Sequence, residues 1–154
     1  MAEAVFEDIR LLTDLFDPQE IIRATADRTM TKGGAASFTG YVSSNDGVEA
    51  LELSHYEPLT LTGMKKLAIA ARERFDLKAI TIVHRVGRMT PGDPIVCVAA
   101  ASRHRRDAIN AVDFCMDHLK SAAWFWKREL KHGEWHWIEP RQADHEDLAR
   151  WNPE

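Results

Sequence analysis

Nine consecutive residues, PIVCVAAAS from Pro94 to Ser102, are apolar or small at odd and even positions alike. A strand built from them has no face that tolerates water, so it belongs in the middle of a sheet with elements packed on both sides. The run AITIVHRVG precedes it and is joined to it by MTPGD, where Pro91 and Gly92 occupy the two central places of a type II turn. The two runs therefore read as a hairpin whose second strand is central.

That central strand leads directly into the stretch 102–129, SRHRRDAINAVDFCMDHLKSAAWFWKRE. Ile109, Val112, Met116, Leu119 and Ala123 fall at the three-and-four spacing of one buried helical stripe, with Ser102 as the N-cap. His104, Arg105 and Arg106 then sit in the first turn, where the helix dipole favours anions over cations. Free N–H groups joined by guanidinium and imidazole donors form a phosphate site at such an end. Side chains that fan into water or pair with surface carboxylates account for the same cluster equally well. At the far end Lys120 complements the helix dipole, an ordinary structural role. Lys127 follows Trp124, Phe125 and Trp126, and an ammonium beside large apolar rings is partly desolvated, which lowers its pKa.

The remainder supplies supporting elements. Asp17, Pro18 and Glu20 carry the pattern of a capped helix start, and a helix over 18–28 with a narrow apolar surface belongs on the outside of the sheet. AASFTGYVS and VEALELSHY flank a turn at Asn45, Asp46 and Gly47 and read as a second hairpin. Gly33 and Gly34 lack the Lys-Ser/Thr ending of a P-loop. A helix starting at Thr60 or Thr62 places Met64, Leu67, Ala68, Ala71 and Phe75 on one face. ELKHGEWHWIE forms a third hairpin turning near Gly133, with Trp135 and Trp137 on a shared buried or interface face, and DHEDLARW a short helix. His132 and His136 sit in that hairpin without a third ligand in sequence, so no metal site is expected. The class is α+β with largely antiparallel pairing.

With 154 residues the chain suits one domain, 1–154, able to bury about two-thirds of its unfolded surface. A formal charge of −4 and a pI near 6.0 lack the spread basic excess of a nucleic-acid footprint. No apolar run approaches the roughly 20 residues of a membrane span, and MAEAVFED has neither the basic nor the apolar region of a signal peptide, so a cytoplasmic location is expected. Cys97 and Cys115 have no paired short spacing and read as buried thiols.

Several separated motifs in one order, SFTGYV, a strand ending in His55 and Tyr56, VHRVG with PGD, ASRHR, and FCMDHLKSAAWFWKRE, resemble the large, catalytic subunit of molybdopterin synthase, the MoaE family. The resemblance covers nearly the whole chain. It implies an α/β-hammerhead-like fold of hairpins packed with helices, and a sulfur transferase that converts cyclic pyranopterin monophosphate to molybdopterin. Sulfur would arrive as the C-terminal Gly-Gly thiocarboxylate of a small ubiquitin-like carrier subunit. Two large subunits would form the centre of a heterotetramer, with no metal or organic cofactor.

Carried over by motif position, His104 and Arg105 match residues of the substrate phosphate site, and Lys120 and Lys127 match lysines near the carrier tail and the pterin. Arg141 matches an arginine supplied across the dimer, and Met116 and Phe38 match pocket positions, although core packing explains those two equally well. On this reading one of the lysines moves protons at the attacked carbon while the cations hold phosphate and neutralise developing charge. The chain departs from the family pattern at Ser43, where an arginine is usual, in the run EPLT after Tyr56, and at Trp124, where a proline is usual. Those departures leave room for a diverged, non-catalytic relative that binds the carrier or a phosphate ligand. An unrelated phosphate-ester enzyme built on His104 lacks a nucleophile or a carboxylate dyad nearby.

Overall fold

The computed structural model describes residues 4–122 and 124–152. Its strands form two four-stranded sheets. The first has the order β1 (Phe6–Leu12), β4 (Leu77–Arg85), β6 (Pro94–Ser102), β2 (Gly34–Tyr41). The second has the order β5 (Gly87–Met89), β3 (Val48–His55), β7 (Phe125–Lys131), β8 (Glu134–Ile138). Helices α1 (Pro18–Asp27), α2 (Leu59–Arg74), α3 (Arg105–Ser121) and α4 (Gln142–Ala149) complete an α+β architecture.

Strand β6 is central, as its two apolar faces require, pairing antiparallel with β4 and β2. One face of β4 and β6 gives Ile80, Ile82, Val98 and Ala100 to a core shared with Met64, Leu67, Ala68 and Ala71 of α2 and Ala111, Val112, Cys115 and Leu119 of α3. The other gives Val83 and Cys97 to a smaller cluster with Ile21 of α1. Helix α1 is fixed there by the Thr25 hydroxyl, which donates 2.8 Å to the Thr81 hydroxyl. Its start follows the expected pattern, since the Asp17 carboxylate accepts from the Gln19 N–H at 3.0 Å. The MTPGD turn is also as expected, with Gly92 at φ +94 and the Asp93 N–H donating to the Thr90 carbonyl at 3.0 Å.

Four expectations need correction. The first concerns β2 and β3, which do not pair as a hairpin: β2 pairs with β6, while β3 pairs with β5 and β7. They part at buried Val42, whose N–H donates to the Asp93 carbonyl (2.9 Å) and whose carbonyl accepts from the Gly92 N–H (2.8 Å). Val42 is thus tied to the turn before β6 rather than to β3. Secondly, Ser102 is the last residue of β6, still in register with Leu77 and Gly34, and His104 takes the N-cap position of α3. The Ser102 hydroxyl nevertheless accepts from the Ala108 N–H at 3.1 Å and donates to the His104 carbonyl, so it stabilises the helix start from outside.

Thirdly, the buried stripe of α3 is rotated: Ala108 and Ala111 face the sheet, Ile109 is 47% exposed, and Ala123 lies outside the described residues. Small alanines let the helix lie close to β2 and β6, which turns the larger isoleucine outward. Lastly, β1 was not anticipated. It is a half-buried edge strand with charges at Glu7, Asp8 and Arg10, and it runs parallel to β4. Its pattern is too polar to stand out.

The β7–β8 hairpin turns through His132 and Gly133, both at positive φ, the pair of left-handed residues that a two-residue loop demands. Trp135 and Trp137 share its outer face, where the Arg128 guanidinium lies 4.2 Å and 5.8 Å from their ring centroids. That face is open to solvent in the single chain, with Trp137 66% exposed.

Trp124 bridges the end of α3 and the start of β7 by packing on α2. The Thr60 hydroxyl donates to its carbonyl at 2.9 Å, and its indole covers Gly63 so closely that a Cβ there would fall inside the ring's van der Waals envelope. Gly63→Ala is expected to lower stability by about 1–3 kcal/mol through overpacking. Most of that loss should disappear in a Trp124→Pro background. Chemical denaturation of the single and double variants measures the coupling, and equal losses in both backgrounds would refute it.

Candidate functional site

The two sheets meet at an apolar seam of Val42, Leu51, Leu53, Val86 and Met89. Beside it opens a cleft of about 520 Å³. One wall is the C-terminal half of α3, with Met116, Leu119 and Lys120; the opposite wall is β7, with Phe125, Lys127 and Glu129. Residues 38–41 of β2 and His84 at the end of β4 line it as well, and Arg141 and Asp144 lie at the start of α4. Strand alternation explains why Lys127 points inward: Leu53 and Ile138, its register partners on β3 and β8, line the same cleft.

The cleft mixes apolar and polar surface and carries three cations, Lys120, Lys127 and Arg141. Burial first, then repulsion from Lys120, holds the Lys127 ammonium below its ordinary pKa, while Glu129 and Asp144 partly offset the effect and Arg141 adds to it. This is the direction expected from the aromatic run beside it. Arg141 is anchored to Asp144 in a capping box, with its guanidinium 3.3 Å and its backbone N–H 3.1 Å from the carboxylate. Burial pushes the Asp144 carboxyl up, but the bonds from Arg141 and the charges of Arg141 and Lys120 outweigh it, and the net shift is downward. Asp144 is therefore a fixed anion that holds Arg141 at the rim.

Five of the seven residues singled out in the sequence come together here: Lys120, Lys127, Arg141, Met116 and Phe38, the last 44% exposed; Arg141, expected to be supplied across the dimer, lines the cleft of its own chain. His104 and Arg105 do not. They are exposed at the N-terminal end of α3, roughly 22 Å from Lys120 along a helix rising 1.5 Å per residue. Ser43 also lies off the cleft lining, its hydroxyl accepting from the Asn45 N–H at 3.1 Å in the link to β3. Cys97 and Cys115 are buried; burial chiefly raises the Cys97 thiol and pushes Cys115 up to about 12, so neither is a thiolate near neutrality. Among the described residues no group of three His, Cys, Asp or Glu side chains is placed to share a metal ion.

His84 was not singled out as a site residue. It continues the inward row Ile80, Ile82 of β4, is only 6% exposed, and stacks on Phe125 with centroids 4.1 Å apart. A polar residue in an otherwise apolar inward row was the available signal. Its Nδ1 lies 2.9 Å from the Arg85 carbonyl, which can only accept, so Nδ1 carries the proton and Nε2 the free lone pair. Burial, with a smaller contribution from Lys120, lowers its pKa to about 4 despite that bond.

The chain matches the family model described as MoaE protein over residues 11–122. It is 39% identical over 146 residues to the molybdopterin synthase catalytic subunit of Pseudomonas aeruginosa, covering 93% of this chain and 97% of that one. It is 41% identical over 145 residues to the protein of the same name in Caulobacter vibrioides, with the same coverage of each. The solved MoaE protein from Burkholderia ambifaria superposes with a TM-score of 0.82 at 39% identity, covering 97% of this chain and all of that one.

The depressed His84 pKa has a consequence for stability. Below an unfolded-state pKa of about 6.5 the unfolded chain takes up a proton that the folded imidazole refuses until about pH 4. Stability should therefore fall as pH drops through that window, by on the order of 3 kcal/mol from this group. His84→Gln should remove that component of the pH dependence. Urea unfolding at pH 7, 5.5 and 4.5 compares the two proteins, and parallel profiles would contradict the assignment.

Proposed function

The chain belongs to the MoaE family, and from that premise we propose that it is the catalytic subunit of a molybdopterin synthase, acting as one domain over residues 1–154. The reaction is sulfur transfer from the C-terminal thiocarboxylate of a small ubiquitin-like carrier to cyclic pyranopterin monophosphate, in a heterotetramer around a dimer of this chain. No described helix is long and apolar enough to cross a membrane, and the reading places the protein in the cytoplasm.

The observation that carries the proposal is the desolvated Lys127 ammonium sharing the cleft with Lys120. A lysine whose proton is loosened exchanges it with substrate at moderate pH, while a second cation nearby offsets negative charge as it develops. The carrier's thiocarboxylate sulfur bonds to the attacked substrate carbon as a carbon–oxygen bond there breaks and its electron pair leaves with the oxygen, giving a thioester link between carrier and pterin; water then hydrolyses the acyl–sulfur bond, returning the carrier's C-terminal carboxylate and leaving the sulfur on the substrate as a thiolate. Lys127 moves protons at the attacked carbon, Lys120 and Arg141 balance charge, and Met116 and Phe38 provide apolar contact for the ring. His104 and Arg105 are too far from their own cleft to reach its ligand, so the proposal assigns them to the phosphate in the cleft of the second copy.

Reconstitution with thiocarboxylated carrier and precursor tests the role of Lys127. Lys127→Arg keeps the charge but cannot release the proton, so turnover is expected to fall roughly 100-fold or more with the melting temperature preserved. The wild-type rate should rise with pH through a limb below the ordinary lysine range, and the variant should lose that limb. Turnover unchanged in Lys127→Arg would remove Lys127 from the chemistry. A wild-type chain that binds the carrier but makes no product would instead identify a non-catalytic relative, the reading that Ser43 favours.

The division of labour between copies has a separate test. Arg105→Ala and Lys127→Ala proteins, each impaired alone, should regain activity when mixed and allowed to exchange subunits, because one cleft of each mixed dimer is then intact. Mixtures that stay as inactive as their parents would overturn the assignment of Arg105 to the second copy's cleft.

A further inference from the structure

The cleft presents cationic donors and anionic acceptors, and its uncharged nitrogen and oxygen side-chain acceptors are those of Thr39, Tyr41 and His84. Lys120, Lys127 and Arg141 can only donate. Of its three carboxylates, Asp144 is bonded to Arg141, Glu129 is ion-paired with Lys131 at 3.5 Å and Glu139 is exposed, and each would repel an anionic ligand brought close. A ligand carrying both a phosphate and N–H or O–H groups needs an acceptor without negative charge. His84 supplies one. Its ring is held from two sides, by Phe125 stacked at 4.1 Å with 20° between planes and by the Arg85 carbonyl at Nδ1, so its orientation is set before any ligand arrives.

We propose that His84 is a substrate-contacting residue of this cleft, its Nε2 accepting a hydrogen bond from an N–H or O–H of the bound pterin phosphate. The inference deepens the molybdopterin synthase reading and rests on it. Burial and the charge of Lys120 keep the ring unprotonated through the neutral range, and a protonated ring would have no lone pair to offer. The ionisable side chains sharing the cleft with His84 are Tyr41 from β2, Lys120 from α3, Lys127 and Glu129 from β7, Glu139 and Arg141 from the segment before α4, and Asp144 from α4. The cations oppose uptake of a proton by His84. The contact orients the ligand between the two lysines without adding charge, and it fails only under acid conditions that protonate the ring.

Two substitutions separate the two nitrogens. In His84→Asn the side-chain amide can still donate to the Arg85 carbonyl, but nothing replaces the acceptor at Nε2. In His84→Gln a longer amide places an acceptor near the Nε2 position. Substrate binding and turnover are measured on the wild-type complex with its carrier and on both variants, with melting temperatures to establish folding. His84→Asn is expected to raise KM for the pterin phosphate about ten-fold with a smaller change in kcat, and His84→Gln to stay close to wild type. In ¹⁵N spectra of the wild-type imidazole, Nε2 should show the unprotonated type of resonance and should shift when substrate is added.

Wild-type KM in a folded His84→Asn would overturn the contact while leaving the proposed function intact. Equal losses in both variants with an unmoved Nε2 resonance would make His84 a structural residue, which also overturns it. A wild-type complex that neither binds nor converts the pterin phosphate would take the functional reading down and this contact with it.

Discussion

The divergence of the two sheets beside the cleft begins at two backbone hydrogen bonds of Val42. By donating to Asp93 and accepting from Gly92, this residue is fastened to the turn that opens β6, and the chain beyond it cannot fold back on β2. Each such bond contributes only about 1 kcal/mol net. Their effect is topological: β3 is sent into a second sheet with β5 and β7, and the space between the sheets becomes the site. Val42 is buried among Leu51, Leu53, Val86 and Met89, so apolar packing reinforces the same divergence.

The arrangement that results is electrostatically unsatisfied. Lys127 loses hydration on the wall of the cleft and faces Lys120, with Glu129 and Asp144 offsetting the repulsion only in part. A phosphate seated directly against Lys127 would reverse the shift and restore the tightly held proton. In the proposed assembly, proton transfer by Lys127 therefore requires the phosphate to sit away from it. Assigning the phosphate to His104 and Arg105 of a second copy meets that requirement by giving the anion cations other than Lys127 to sit against. A charge arrangement that looks incomplete in one chain thus gives a physical reason for a dimer.

Much of this was legible in the sequence, for identifiable reasons. The strand Pro94–Ser102 and the helix bearing Met64, Leu67, Ala68 and Ala71 have unambiguous apolar periodicity, and both form as expected. The lysines and the aromatic run were adjacent enough in sequence to predict the lowered pKa of Lys127. What failed depended on partners distant in the chain. The turn at Asn45–Gly47 carries strong local hairpin chemistry, and nothing nearby reports that Val42 prefers Asp93. Strand β1 is half-buried at a sheet edge, where charged residues are tolerated and alternation is blurred. His84 stayed hidden because VHRVG places it next to Arg85, and which of the two polar side chains faces inward is settled only by the strand's packing.

The residue at 124 shows how a departure from a family pattern can be absorbed locally. An indole where the pattern has proline needs space, and Gly63 on α2 supplies it by having no side chain. In exchange the indole and the Thr60 hydroxyl hold the segment that enters β7. That segment carries Phe125, whose ring braces His84, and two residues later Lys127. Strand geometry fixes residues 125 and 127 on one face, so the constraint at 124 sets how the β7 wall of the cleft is presented. A larger side chain at 63 would displace Trp124, then Phe125, and through them the imidazole and the lysine together. The change at 124 therefore belongs with Gly63 as one unit, and its influence on the site runs through the position of β7 rather than through any contact with a ligand.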